Sequence, residues 1–147
     1  MNLYLDTSAL VKLYIAEEGS LLVRTALADA RFVATSVVAY VEARAAFARR
    51  RRERALSSAA HRRLVQALDT DWGRYLRIET SEALIHEAAL LAERHRLRGY
   101  DAIHLASALL LRSRLPEAVV FSSWDSTLQT AALREGLRRL PDRFHQR

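Results

Sequence analysis

At 147 residues, half of them hydrophobic, the chain has the apolar content for one domain over residues 1–147 and no spare length for a second. It has no cysteine, which excludes disulfides and thiolate metal sites, so any metal must be held by oxygen or imidazole. The net charge is +6 with Lys12 the only lysine, so nearly all the positive charge is arginine, which forks onto phosphate and suits RNA.

Taken in chain order, strand-like and helix-like patterns alternate. Leu3, Tyr4 and Leu5 predict a short apolar strand, Leu3–Asp6, and Thr7, Ser8 and the run Ala9 to Tyr14 predict a helix start with core spacing. Asp6 then stands at the carboxyl end of a strand, where open α/β sheets bind their ligands. A second strand, Phe32–Thr35, leads into a helix over Val37–Arg54 that closes on Arg49, Arg50, Arg51, Arg52 and Arg54. Cations there favour the helix C-terminus and are solvated, and phosphate contact is the alternative. Further helices are predicted over Ser58–Leu68, Ser81–Leu97, Ala102–Ser113 and Thr127–Glu135. Further strands are predicted over Tyr75–Ile78, Ala118–Phe121 and, more weakly, Leu137–Leu140. Gly99 and Gly136 each fall just past a helical pattern, where a left-handed residue would end it. Such alternation argues for an α/β domain with a mainly parallel central sheet flanked by helices on both faces. The chain meets Asp6 almost at once, without the basic and apolar runs of a signal peptide, and no stretch approaches the roughly eighteen apolar residues of a membrane span. A soluble, cytoplasmic chain is expected.

No glycine-rich nucleotide loop, GxSxG elbow or HExxH pair occurs, and His61, His86, His95 and His145 read as helix-surface or tail residues. Catalysis would therefore rest on carboxylates. Asp6, Asp101 in RGYDAIHLASALLL and Asp125 in FSSWDSTLQTAALREG each precede a helix, so each is open to reading as an N-cap. Capping does not explain Glu42 in TSVVAYVEARAAF, which sits mid-helix with Val38 and Ala39 one turn before it and Ala45 and Ala46 one turn after. A lone carboxylate on that apolar flank is costly unless something pairs it. One arrangement accounts for all four: three strand-end or helix-start acids and one inward-facing helix acid meeting in a single pocket. Carboxylates so placed repel one another unless a counter-charge enters, and an all-oxygen donor set suits Mg2+ or Mn2+. Setting these four aside leaves thirteen acids against 23 cations, near +10, so a negative pocket would lie on a positive scaffold. An enzyme acting on a polyanion through a metal needs that combination.

In order and at this spacing, YLDTSALVKLY, TSVVAYVEARAAF, RGYDAIHLASAL and FSSWDSTLQTAA resemble the four acidic motifs of PIN-domain ribonucleases, most closely the VapC-like toxins of type II toxin–antitoxin pairs. The resemblance covers nearly the whole chain and implies a PIN-like fold, a parallel sheet flanked by helices. It implies that Asp6, Glu42, Asp101 and Asp125 bind one or two Mg2+ or Mn2+ ions directly or through water. Asp6 and Asp101 are the principal ligands on this reading, and Glu42 or Asp125 assists as a base. Ser8 and Ser123 match hydroxyl positions that orient carboxylates or waters, although many relatives carry threonine where Ser123 stands. His104 is expected to be a structural residue of its helix. The implied reaction is metal-assisted hydrolysis of an RNA phosphodiester. Because water attacks, the products should carry a 5′-phosphate and a 3′-hydroxyl.

The family further implies a homodimer silenced by a small antitoxin. Tyr14, Leu21, Leu22, Val41 and Phe47 would offer it a helical surface, yet each is expected to be core. Two other readings predict differently. A non-catalytic RNA- or protein-binding module would pair Glu42 with Arg44 or Arg98 and tolerate Asp101→Asn. A metal-dependent phosphatase for small phosphorylated metabolites would want a DxD pair, and Ser8 stands two residues after Asp6.

Overall fold

The first strand, β1 (Asn2–Leu5), is buried along its whole length, with Leu3 and Leu5 on one face and Tyr4 on the other. A strand covered on both faces reads as a continuous apolar run, which is why LYL shows no polar alternation. In the computed structural model, which describes residues 1–142, β1 is the centre of a five-stranded, all-parallel sheet. The strand order is β3 (Leu76–Ile78), β2 (Phe32–Ser36), β1, β4 (Val119–Ser122), β5 (Arg138–Leu140). Leu3 pairs in register with Val33 on one side and Val120 on the other.

Helices cover both faces. Leu3, Leu5 and Val120 pack with Leu10, Val23, Phe47 and Leu68 from α1 (Thr7–Val11), α2 (Ser20–Asp29), α3 (Val38–Arg52) and α4 (Ser58–Trp72). Tyr4 and Phe121 pack with Leu84, Leu91, Leu105 and Leu128 from α5 (Glu82–His95), α6 (Gly99–Arg114) and α7 (Ser126–Arg134). The chain lays strands outward from β1 to one edge, then returns through α5 and α6 to place β4 on β1's other side. That reversal opens a crevice beyond the carboxyl ends of β1 and β4, the place where sheets of this kind hold ligands.

The predicted strands and helices all form, with ends shifted by a few residues. One helix was missed: α2, in SLLVRTALAD, spreads apolar residues around its circumference, with Val23 and Ala26 buried but Leu21 and Leu22 exposed, so no stripe marks it. Gly136 does take the left-handed conformation (φ 83°), but Gly99 does not. Arg96 (φ 55°) ends α5 instead, and Gly99 is already the first residue of α6. Gly19 (φ 91°) is required twice over, because a Cβ there would also stand 2.5 Å from the Trp124 ring. Among the described residues no helix is long and apolar enough to cross a membrane, and His145 lies outside them.

Candidate active site

The β1–α1 junction places Asp6 at the crevice. Its backbone is still extended, and its Oδ1 caps α1 by accepting from the Ala9 amide at 2.9 Å. Oδ1 also accepts from Ser8 Oγ and Oδ2 from Ser123 Oγ, each at 2.6 Å. Asp6 is only 4% exposed, and burial raises its carboxyl above the ordinary range although His104, the two serines and the Ala9 amide all favour the charged form. Ser8 and Ser123 are themselves anchored, accepting from the Trp124 and Asp125 amides. The hydroxyl pair therefore ties the end of β1 to the loop after β4. Gln129, on the buried face of α7, donates to the carbonyls of Ser123 and Leu140 and holds that loop from below.

Glu42 faces the same crevice from α3. Its Oε1 accepts from Thr7 Oγ1 at 2.6 Å and His104 Nε2 at 2.9 Å, while Oε2 has no partner among the described residues. A carboxylate only accepts, so His104 Nε2 donates to Glu42, while Nδ1 shares a hydrogen bond of 2.8 Å with the Tyr4 hydroxyl. Burial keeps Tyr4 protonated and able to donate, pushing its phenol well above its usual value. Burial would raise Glu42 too, but the bonds from His104 and Thr7 and the field of His104 and Arg98 outweigh it and hold the carboxyl below its ordinary value.

Asp101 lies in the first turn of α6 and caps nothing, so the capping alternative does not apply to it; the N-cap position belongs to Arg98. Arg98 Nε donates to Asp101 Oδ2 at 3.1 Å, and its Nη2 stands 3.6 Å from Asp125 Oδ2. Asp125 does cap α7, accepting from the Leu128 amide at 2.8 Å. Asp101 remains above the ordinary carboxylate range even under the guanidinium, since its desolvation and the charge of Asp125 outweigh one exposed cation. All four acids thus share one network of hydrogen bonds and charges. As the side chains lie, no three His, Asp or Glu groups among the described residues form a ready cage for an ion.

Residues 3–123 match the model of the PIN domain. The chain belongs to the PIN-domain family. Ribonuclease VapC45 of Mycobacterium tuberculosis is 34% identical over 138 residues, 94% of each chain. Among solved structures, FitAB bound to an IR36 DNA fragment superposes with a TM-score of 0.64 at 17% identity, covering 98% of both chains. A toxin–antitoxin complex from Klebsiella pneumoniae gives 0.57 at 19% identity, covering 80% of this chain and 82% of that one.

Three residues of this PIN domain's crevice escaped the sequence reading: Thr7, Tyr4 and Gln129. Gln129 carried a usable signal, a polar side chain beside Leu128 on a helix face otherwise lined by Ala131 and Ala132. Tyr4 carried none, since its ring belongs to the core and only its hydroxyl to the site. His104, expected to be a structural residue of its helix, links Glu42 to Tyr4 at the centre of the sheet.

Proposed function

We propose that this PIN domain is a Mg2+- or Mn2+-dependent endoribonuclease, the toxin of a toxin–antitoxin pair, cutting single-stranded RNA in the cytoplasm. The observation that carries the reading is Asp6, a carboxylate buried at the sheet's switch point and gripped by Ser8 and Ser123, in one network with Glu42, Asp101 and Asp125. The name of the mycobacterial relative supports RNA as the substrate.

The donor set fits the ion. Asp6, Glu42, Asp101 and Asp125 share one network at the crevice, and the imidazole that joins it among the described residues is engaged through both nitrogens, which leaves oxygen donors for a hard cation. A guanidinium already sits on two of the acids as a stand-in cation. Asp6 and Asp101 would be the principal ligands, with Glu42 and Asp125 binding directly or through water. When bound, the ion supplies an acidified water and neutralises charge developing on phosphate. Glu42, ionised and fixed through Oε1, keeps Oε2 to orient the attacking water, and Asp125 is the alternative group to take its proton.

Cleavage of a mixed single-stranded RNA pool tests this directly. Cutting in Mg2+ or Mn2+ should stop in EDTA, fall at least about tenfold in Asp101→Asn, and leave 5′-phosphate and 3′-hydroxyl ends. Cyclic phosphate ends, or hydrolysis of a small phosphomonoester with RNA left intact, would overturn it.

The arginine run divides. Arg49 pairs with Glu53 and Arg50 with Glu17, whereas Arg51, Arg52 and Arg54 have no ion-pair partner among the described residues. We expect Arg51→Glu with Arg52→Glu to weaken RNA binding and to reduce the slope of log affinity against log salt by about one to two. An unchanged slope returns these residues to solvent. An antitoxin and a second copy of the chain complete the reading, supported by exposed Leu21 (78%), Leu22 and Val41 (60%), which the sequence reading had expected in the core. Phe47 is core, and Tyr14 is partly buried.

A further inference from the structure

Arg98 breaks the local rules for its position. It is the N-cap of a sixteen-residue helix, in extended backbone (φ −65°, ψ 155°), and its side chain caps nothing. N-caps favour short oxygen-bearing side chains, and a cation at a helix N-terminus faces the positive end of the dipole. Neither helix capping nor core packing accounts for the residue, whose side chain is 82% exposed. What engages it is the acids: Asp101 Oδ2 at 3.1 Å and Asp125 Oδ2 at 3.6 Å, neither of which has another cation on it among the described residues.

We propose that Arg98 is a built-in counter-ion, which a divalent cation must displace from Asp101 and Asp125, so that this residue sets the metal concentration at which the site fills. The inference rests on the metal-site reading above. A Mg2+ ion takes carboxylate oxygens at about 2.0–2.1 Å, and an oxygen so engaged cannot keep a guanidinium as its close partner without placing two cations side by side. Exposure makes the exchange reversible. Outside the ion pair the guanidinium returns to water, and exposed pairs of this kind hold weakly. A buried arginine in the same place would lock the acids. Asp6 and Glu42, clamped by hydroxyls and His104, keep their places whether or not Arg98 is seated, so the exchange involves only the outer pair of acids.

The test is calorimetric titration of Mn2+ into RNA-free protein, comparing the natural chain with Arg98→Met and Arg98→Lys, each first checked for an unchanged thermal transition. Arg98→Met should bind Mn2+ about fivefold more tightly, the scale of one screened unit charge at about 4 Å, and Arg98→Lys should stay near the natural chain. In the natural chain, Mg2+ should also shift the 15N resonance of Arg98 Nε as its bond to Asp101 is lost. Equal Mn2+ affinity in all three proteins overturns the counter-ion role and leaves the metal site standing. Weaker binding in Arg98→Met overturns it in favour of a supporting role. No Mn2+ binding by any of them overturns the metal-site reading, and this inference with it.

Discussion

Asparagine in place of Asp6 is expected to lower metal-dependent cleavage about a thousandfold, ~4 kcal/mol of transition-state stabilisation, while leaving the metal-free protein at least as stable as the natural chain. The two effects have one cause. Asp6 is buried at the centre of the crevice, and burial sets its folded pKa above the ordinary carboxylate value despite three hydrogen bonds. An acid raised in this way favours the fold at pH below the unfolded carboxylate value, and that contribution is lost as pH rises through the folded value. As pH rises the metal-free protein therefore bears the cost of charging this buried carboxyl, which asparagine avoids while remaining a good N-cap for α1. Urea unfolding in EDTA across pH 4 to 8 should show the natural chain losing ground to Asp6→Asn as pH rises. Added Mn2+ should stabilise the natural chain and leave the variant unmoved. If the variant lost ground to the natural chain as pH rose, Asp6 would be a structural cap whose charge the fold already satisfies.

Glu42 and Asp6 were legible in the sequence as candidate site residues because each contradicted its local surroundings. Glu42 stood on an apolar helix flank, and Asp6 ended a strand that was otherwise LYL. Its partners were not legible. The sequence reading offered Arg44 or Arg98 for Glu42, but Arg44 donates to the Tyr40 hydroxyl, and the groups bonded to Glu42 are Thr7, 35 residues before it, and His104, 62 residues after it. Such pairings are made by the strand order, which brings α3, α6 and the β1–α1 junction to one end of the sheet. Spacing along the chain does not encode them. Asp101 left two readings open for a similar reason: the residues around it suit a cap, and only the backbone shows the helix starting earlier, at Gly99 with Arg98 as its N-cap. The exposed Leu21, Leu22 and Val41 reverse a general rule, since apolar residues at helical spacing are ordinarily core.

His104 is where the core and the chemistry meet, so His104→Leu should damage both. Leucine keeps most of the packing but removes two hydrogen bonds: the Tyr4 hydroxyl loses its ring partner and Glu42 a donor. Tyr4 is fully buried, with the Ser107 hydroxyl and the Ser36 backbone the groups left near its hydroxyl among the described residues. An orphaned buried hydroxyl and a weakened partly buried carboxylate together predict a loss of about 2–4 kcal/mol in stability. Glu42's lowered pKa adds a pH signature. Its stabilising contribution is present above the ordinary carboxylate value and is lost as pH falls through the folded value, so the natural chain should lose this advantage in acid and the variant should have less to lose. Cleavage should fall about a hundredfold because Glu42 is then held by Thr7 alone. A second substitution separates the two effects. Tyr4→Phe in the His104→Leu background removes the orphaned hydroxyl and should return about 1 kcal/mol of stability. It should return no activity, because Glu42 still lacks its donor. Activity recovering along with stability would mean that His104 serves the reaction only by keeping the protein folded. Stability without activity would establish it as the residue that positions Glu42.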